Sequence, residues 1–337
     1  MVIEIKTGNI LAMVSAPSFD PNNFSNEDAE DYLSALRSDS AKPFMNKALE
    51  GLYPPGSTFK IVVALAALES GALLPSEKIF CPGYWDYGDR RYHCWEQKGH
   101  GAVDLVGALK HSCDVYFYQI ALRIGIDAIK EMAMKLGLGE KFMHEILPKE
   151  MAGVVPDRKW KEKNIGSRWM HGDTIISGIG QGFILSNCMQ LAVMMSRVAS
   201  NKIIMPRLIE DGEPVKFSNL KLQTKNLKSV LNGLEQVLQT GGTASGSAIN
   251  VNGEKMGGKT GTSQVRNIST SERETGVLTN EQLKWNLRNH GLFVGYAPTN
   301  NPKYAICVIT EHSGTSTPAA HVAAQIMKEV LKDGNAS

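Results

Sequence analysis

Ser57 and Lys60 are the first residues along the chain whose types and spacing could do chemistry. They lie three positions apart in YPPGSTFKIVVALAALESG, where an apolar run predicts a helix that begins near the serine. The lysine then lies on the same side of the helix as the serine, where its amine could accept the hydroxyl proton. Serine at a helix start is more often only an N-cap, so this pair alone leaves a nucleophile and a cap both open.

Two later motifs favour the nucleophile. Ser112-Cys113-Asp114 and Lys259-Thr260-Gly261-Thr262 follow in that order. The motifs S-x-x-K, S-D-N and K-T-G are shared by class A β-lactamases and penicillin-binding proteins. The chain resembles the class B penicillin-binding transpeptidases over nearly its whole length, in the stretches YPPGSTFK, HSCDVYFYQIA, GQG, GGKTGT and LFVGYAP. Within that class it is most similar to the elongation type, the penicillin-binding protein 2 group, which tends to have Asp in the second motif.

Acyl transfer needs a nucleophile, a base, an oxyanion site and groups that hold the acyl donor. Ser57 would be the nucleophile, and Lys60 in its neutral form would be the base. Ser112 would relay a proton to the leaving amine, and Asp114 would orient Lys60 or a substrate amide. The first two motifs therefore supply the proton-transfer groups.

The third motif would hold the donor. Lys259 would supply positive charge that favours neutral Lys60 and attracts a substrate carboxylate. Thr260, Gly261 and Thr262 are expected to bind substrate, the two threonines through hydroxyl groups that contact this carboxylate. The resemblance also implies that backbone N–H groups of Ser57 and Thr262 form the oxyanion hole.

The substrate and partners are implied by the resemblance. The donor would be a peptidoglycan stem peptide ending in D-Ala-D-Ala, and the acceptor an amine on a neighbouring stem peptide. β-Lactams would acylate the same serine. A membrane glycosyltransferase and elongation scaffold proteins are the expected protein partners, and catalysis would need no cofactor. A net charge of +2 gives no indication of nucleic-acid binding.

Two rival functions share this serine chemistry. A class D β-lactamase also has S-T-F-K, but such enzymes are shorter and hydrolyse the acyl-enzyme with a carboxylated lysine. The length of 337 residues and the stretches LFVGYAP and SCD argue against it. A β-lactam sensor has the same fold and the same acylation but signals instead of turning over substrate.

Three cysteines and a histidine form a candidate metal site. Cys81, Cys94, His100 and Cys113 have the spacing C-x12-C-x5-H-x12-C within one region that lacks an evident core. Four such ligands suit tetrahedral structural zinc, which would also brace the second catalytic motif. His93 could replace His100 as the ligand, and a Cys81–Cys94 disulfide in an oxidising periplasm is the rival interpretation.

The resemblance implies an α/β (α+β) fold of the serine β-lactamase-like, penicillin-binding transpeptidase type, with an antiparallel sheet flanked by helices. Residues 1–337 would form a single transpeptidase domain. Residues 1–71 and 176–337 would form the α/β lobe that contains the sheet, and residues 72–175 a mainly helical lobe. An upstream membrane anchor and a non-catalytic pedestal, expected in the full protein, are absent from this sequence. The expected location is the periplasmic face of the bacterial inner membrane.

Local patterns place the main elements: a polar connection precedes the Ser57 helix, residues 72–110 are predicted to be irregular, and residues 127–137 predict an amphipathic helix. Residues 2–6 and 10–14 predict a hairpin, which assigns the additional K-T-G at Lys6-Thr7-Gly8 to a turn. Residues 290–298 and 304–310 predict strands, and a helix closes the chain, so the two termini would complete one sheet. The glycines of GIGQG indicate tight packing and a turn, and the polar residues 266–289 are predicted to form a mobile loop over the site.

Overall fold

A five-stranded antiparallel sheet joins the two ends of the chain. The computed structural model describes residues 1–208, 215–266, 272 and 278–333. Its strands, in chain order, are β1 (Val2–Glu4), β2 (Ile10–Ala12), β3 (Ile79–Cys81), β4 (Tyr84–Tyr87), β5 (Arg90–His93), β6 (Gly101–Val103), β7 (Gly257–Ser263), β8 (His290–Ala297) and β9 (Tyr304–Thr310). The order in the sheet is β2-β1-β9-β8-β7, and each neighbouring pair is antiparallel. The predicted hairpin and the sheet completed by both termini are confirmed.

Helices cover both faces of this sheet. Over the described ranges they are α1 (Ala29–Ser38), α2 (Lys60–Glu69), α3 (Leu105–Lys110), α4 (Asp114–Lys135), α5 (Arg158–Ile165), α6 (His171–Ser177), α7 (Cys188–Ser200), α8 (Thr224–Gln236) and α9 (Thr317–Asp333). Side chains alternate along β8, so Leu292 and Val294 pack into one core with α2 and α7, while Phe293 packs into a second core with α9. Because apolar side chains on both faces are covered, β8 is an almost entirely buried strand.

Two parts of the chain differ from the sequence-based expectation. The region 72–110, predicted to be irregular, contains the short strands β3 to β6, which pair as β3 with β6 and β4 with β5. These strands have only three or four residues each, which is too short for a periodic pattern. Helix α1 lies in the polar segment before Ser57 and has no buried residue, so its sequence carries little apolar signal.

The second motif begins the longest helix. Helix α4 includes the predicted helix at 127–137 and is kinked at Gly125, whose φ of 77° is not helical. Most of the predicted mobile loop, residues 267–271 and 273–277, lies outside the described residues. Among the helices that are described, none combines the length and the apolar character needed to cross a bilayer.

Candidate active site

Ser57 lies in a tight turn instead of capping a helix. A 3-10 turn, Gly56–Phe59, leads directly into α2, and the positions that cap the turn and the helix are Pro55 and Phe59. Neither makes a side-chain capping hydrogen bond. Ser57 is half-buried and lines a cavity of about 510 Å3, called here the catalytic cavity, together with Ser112, Asp114, Thr260 and Thr262. The cap interpretation is therefore wrong for this serine.

Lys60 connects the first motif to the second. Its side chain is fully buried, and Nζ donates hydrogen bonds to Asp114 Oδ1 at 2.6 Å, the Ser112 carbonyl at 2.7 Å and Ser112 Oγ at 3.1 Å. An ammonium has three donors, so these three acceptors satisfy it completely. The structure thus brings Lys60, Ser112 and Asp114 into one buried network, although more than 50 positions separate Lys60 from the other two.

Ser112 and Asp114 are held by the backbone as well as by Lys60. Ser112 has a φ of 54°, which is uncommon for a residue other than glycine and is typical of residues constrained at functional sites. The second carboxylate oxygen of Asp114 accepts a hydrogen bond from the Trp95 backbone N–H at 2.9 Å. Both oxygens of this carboxylate are therefore engaged, which fixes its orientation.

The third motif forms the exposed edge of the sheet. Strand β7 is the last strand, so one side of its backbone has no partner strand. The Thr262 carbonyl accepts a hydrogen bond from Gln181 Nε2 at 2.9 Å across the catalytic cavity. In an antiparallel strand the N–H and C=O of one residue point to the same side, so the Thr262 N–H faces the cavity too. This is the orientation that an oxyanion donor needs.

Lys259 lies behind the cavity wall. Its side chain is completely buried, and Nζ donates to the Thr260 carbonyl at 3.2 Å. Burial and, after it, the positive charge of Lys60 lower the pKa of Lys259 well below its usual range, while Asp114 has a smaller opposing effect. The Lys259 amine therefore resists protonation unless an anion lies close to it.

Three glycines allow the turn, β7 and the GIGQG segment to approach closely. A Cβ on Gly56 would lie 2.3 Å from the Thr262 carbonyl oxygen, and one on Gly180 would lie 2.2 Å from the Gly56 carbonyl oxygen. A Cβ on Gly261 would lie 2.8 Å from the Thr58 side chain. The interpretation of GIGQG as a packing segment is confirmed, and the same packing fixes Ser57 beside the edge of β7.

Trp95, Gln181 and Thr243 are among the residues of the catalytic cavity that sequence reasoning missed. The Trp95 ring is 56% exposed, and its Nε1 donates to the Ser112 carbonyl at 3.1 Å. The hydroxyls of Thr243 and Thr260 are 2.7 Å apart. None of the three belongs to one of the three motifs. Gln181 lies within GIGQG, the segment that the sequence predicted to pack tightly.

The candidate metal residues lie against this network. One ligand atom from each of Cys81, Cys94, His100 and Cys113 lies within 4.8 Å of the others. His100 Nδ1 lies 3.7 Å from Cys81 Sγ and 3.6 Å from Cys94 Sγ. All five cysteines are free thiols, so the alternative Cys81–Cys94 disulfide is not formed. His100, and not His93, is the histidine of the cluster.

The cluster has the dimensions of a zinc site. Zn–S and Zn–N bonds of about 2.3 and 2.05 Å in a tetrahedron separate sulfur from nitrogen by about 3.6 Å, close to the two distances observed. The hydrogen bond with Cys113 lowers the pKa of Cys94, whereas burial raises the pKa of Cys81 and the hydrogen bond with Cys94 raises that of Cys113. Cys94 is therefore the cysteine that favours the thiolate, the metal-binding form. The residues therefore fit a structural zinc. The Asp114 backbone N–H donates to Cys94 Sγ at 3.4 Å, which links the cluster to the catalytic carboxylate.

Comparison with known proteins identifies the family. The penicillin binding protein transpeptidase domain matches residues 1–332. The chain belongs to this family. The peptidoglycan D,D-transpeptidase MrdA of Escherichia coli K12 is 32% identical over 99% of this chain and 54% of its own length. The chain thus spans about half the length of the relatives it matches.

Solved structures of the family show the same fold. The structure of Pseudomonas aeruginosa PBP2 in complex with WCK 5153 is 34% identical with a TM-score of 0.80, over 98% of this chain and 69% of that one. The complex between PBP2 and MreC from Helicobacter pylori is 28% identical with a TM-score of 0.87, over 98% of this chain and 59% of that one. The predicted penicillin-binding transpeptidase fold and the resemblance to the penicillin-binding protein 2 group are confirmed.

A methyl group at Gly56 is expected to push the turn that carries Ser57 away from β7. Gly56→Ala places a Cβ 2.3 Å from the Thr262 carbonyl oxygen at a φ of 54°, so the turn or β7 must move. We expect a loss of about 2–4 kcal/mol in unfolding free energy, together with a loss of penicillin labelling of Ser57. Urea denaturation and fluorescent-penicillin labelling measure the two effects.

Gly71→Ala is the matched control for this variant. Gly71 also has a positive φ, of 72°, but a Cβ there meets nothing within 4 Å. It should cost about 1 kcal/mol and leave labelling unchanged. Equal effects of the two substitutions would contradict the close contact as the cause.

Proposed function

We propose that the chain is the catalytic domain of a peptidoglycan D,D-transpeptidase, a serine acyltransferase that β-lactams inhibit. The observation that carries this proposal is the convergence of all three motifs on one cavity: Lys60 Nζ contacts both Ser112 and Asp114, and Ser57, Thr260 and Thr262 line the same space. A nucleophile, a buried amine, a hydroxyl relay and a backbone donor are the parts that acyl transfer requires. The proposed assignment is residue by residue the one made from the sequence.

In the proposed acylation, Ser57 Oγ attacks the carbonyl carbon of the penultimate D-Ala of the donor. The Oγ–C bond forms, the C–N bond to the terminal D-Ala breaks, and the serine proton passes through Lys60 and Ser112 to the departing amine. The 3.1 Å contact between Lys60 Nζ and Ser112 Oγ supports this relay. Lys60 acts as the base only as a neutral amine, so its ammonium has to release one proton before this step.

Lys259 would help Lys60 to lose that proton. A donor carboxylate held by the hydroxyls of Thr260 and Thr262 would bring an anion near the buried amine of Lys259 and favour its charged form. Two charged lysines close together repel each other, and the positive charge of Lys60 lowers the pKa of Lys259 in addition to the effect of burial. Donor binding would therefore shift a proton toward Lys259 and leave Lys60 as the base.

We also propose that Cys81, Cys94, His100 and Cys113 hold a structural zinc ion. Zinc would supply no chemistry to the substrate; its bonds would fix the positions of its four ligands. Cys94 precedes Trp95, whose backbone N–H donates to Asp114, and Cys113 precedes Asp114 directly. The ligands would thereby hold the carboxylate that orients Lys60.

The remaining expectations are proposals that concern the full protein. We propose a division of the chain into an α/β lobe (1–71 and 176–337) and a mainly helical lobe (72–175) of one domain. A location at the periplasmic face of the inner membrane, cell elongation as the process, and scaffold and glycosyltransferase partners are proposed from the relatives. The complex of PBP2 with MreC in Helicobacter pylori supports a scaffold partner.

Intact-mass spectrometry after mixing with penicillin tests the proposed function. We expect a one-to-one adduct that persists for hours in the parent chain and is absent in Ser57→Ala. Fast loss of the adduct with release of hydrolysed penicillin would make the protein a β-lactamase. A stable adduct without any transfer from a D-Ala-D-Ala peptide would favour the sensor, and no adduct at all would contradict the serine assignment.

A further inference from the structure

A second cavity, of about 990 Å3, lies beside the catalytic cavity and was not predicted from the sequence. The two cavities share a common wall, formed by Trp95, Asp114, Ile179, Gln181 and Gln264. Thr260 and Thr262, the proposed donor contacts, line only the catalytic cavity. A molecule in the second cavity would thus reach the reacting serine from a side that the donor carboxylate does not occupy.

The far wall of this second cavity contains two arginines and an aspartate. It is formed by β5 with the turn before it, and Arg90 and Arg91 are both exposed there, so the cavity is called here the arginine groove. Arg91 forms two hydrogen bonds with Asp86, but both side chains are about half exposed, and such surface pairs exchange readily with other partners. Arg90 lies over the Tyr92 ring at 5.2 Å and forms no ion pair within the described ranges. Asp89 is the acidic residue of the same wall.

The near end of the groove is bordered by the Asp114 carboxylate, which is buried and paired with Lys60. Asp114 is the residue that borders both cavities and belongs to the catalytic network, and its Oδ1 holds Lys60. An amine that moves along the groove toward Ser57 would pass this carboxylate. Trp95 lines the path between the ends and is 56% exposed, so it offers aromatic surface to a peptide. The exposed guanidinium of Arg90 at the far end, and the opening toward Ser57 at the near end, match a peptide that carries a carboxylate behind a free amine.

We propose that the arginine groove binds the acyl acceptor, an anionic peptide whose amine reaches the acyl-enzyme past Asp114. This inference rests on the transpeptidase function proposed above. The amine attacks in its neutral form, after its ammonium has lost one proton to water. A C–N bond then forms to the acyl carbon, the C–Oγ bond to Ser57 breaks, and the proton released by the amine nitrogen returns to Ser57 Oγ through Lys60.

The experiment separates the two half-reactions with an Arg90→Ala/Arg91→Ala variant. An N-acyl-D-alanyl thioester serves as the donor, and acylation of Ser57 is followed by intact mass. Two acceptors are compared, a synthetic stem tetrapeptide with free carboxylates and the same peptide with carboxamides in their place. Arg90→Lys/Arg91→Lys keeps the charge, and Arg37→Ala, an exposed arginine that lines neither cavity, is the matched control.

The groove proposal predicts a defect confined to transfer. Acylation should change less than about twofold in the double alanine variant, while the KM for the free-carboxylate acceptor rises by about tenfold to a hundredfold. The carboxamide acceptor should already have a high KM with the parent chain, and the double alanine variant should raise that KM only slightly further. The lysine variant should recover part of the loss, and Arg37→Ala should match the parent.

Other outcomes would overturn the proposal. Unchanged transfer in the double variant, equal losses for both acceptors, or a parent chain that acylates but transfers to neither peptide would each exclude acceptor binding in the groove. A fall in thioester acylation would assign the groove to the donor instead. Failure of the proposed function looks different, because the parent chain would then form no acyl-enzyme with any donor.

Discussion

Lys60→Met is expected to slow penicillin acylation of Ser57 by about a thousandfold, the range typical of losing a positioned base. Methionine has a similar length, so the volume of the buried site is nearly kept. The amine that contacts Ser112 Oγ at 3.1 Å disappears, and with it the proposed route of the serine proton. Stopped-flow or quench measurements of adduct formation give the second-order rate constant directly.

The same substitution should destabilise the fold for a separate reason. Asp114 is buried, and its Oδ1 lies 2.6 Å from Lys60 Nζ, so methionine leaves a buried carboxylate without its cation. Breaking a buried pair on one side typically costs about 3–5 kcal/mol, whereas removing both charges is often nearly neutral. Lys60→Met/Asp114→Asn should therefore regain most of the unfolding free energy and none of the acylation rate.

The double variant separates the effect of Lys60 on the acylation rate from its effect on the unfolding free energy. If acylation recovers together with stability, Lys60 acts only by supporting the fold, and its assignment as the base is wrong. Urea denaturation of the parent, the single variant and the double variant supplies the three free energies. The acylation rates are then compared at a temperature where all three are folded.

The second large effect that we expect is a loss of stability when the proposed zinc is removed. Protein purified without chelator should contain about one zinc per chain, and Cys113→Ser should lower both the zinc content and the stability. We expect a loss of at least about 3 kcal/mol, or about 5 °C in Tm, because metal-binding free energy contributes to folding. Acylation should fall by about tenfold in the folded variant, because Cys94 and Cys113 flank the contacts that hold Asp114.

Cys188→Ser is the control for this experiment. Cys188 is also buried, and its Sγ donates to the Cys307 carbonyl at 3.4 Å, a hydrogen bond that a serine can keep. It lies outside the cluster, so zinc content should stay at one per chain. Zinc below about a tenth of an atom per chain in the parent, with a Tm that a chelator does not change, would contradict the metal proposal.

The local parts of this protein were predictable because their signals are local. Three motifs predicted the proposed nucleophile, the two lysines and the proposed relay serine, since each motif depends on residue types a few positions apart. The strands at both ends also showed in the sequence, because residues 2–6 and 10–14 alternate around a turn signal and β8 and β9 are apolar runs of eight and seven residues. The polar helix α1 and the short strands β3 to β6 carry no such pattern and were missed.

The sequence by itself determined the types and the order of the proposed reaction groups, whereas the tertiary structure decided which atoms meet. Only the fold selects His100 over His93, brings Gln181 to the carbonyl of Thr262, and buries Lys259 beside Lys60. The arginine groove likewise exists only because the β4–β5 hairpin packs beside Asp114. These contacts join residues that are far apart along the chain, so their distances, burial and electrostatic effects depend on packing and not on any nearby pattern.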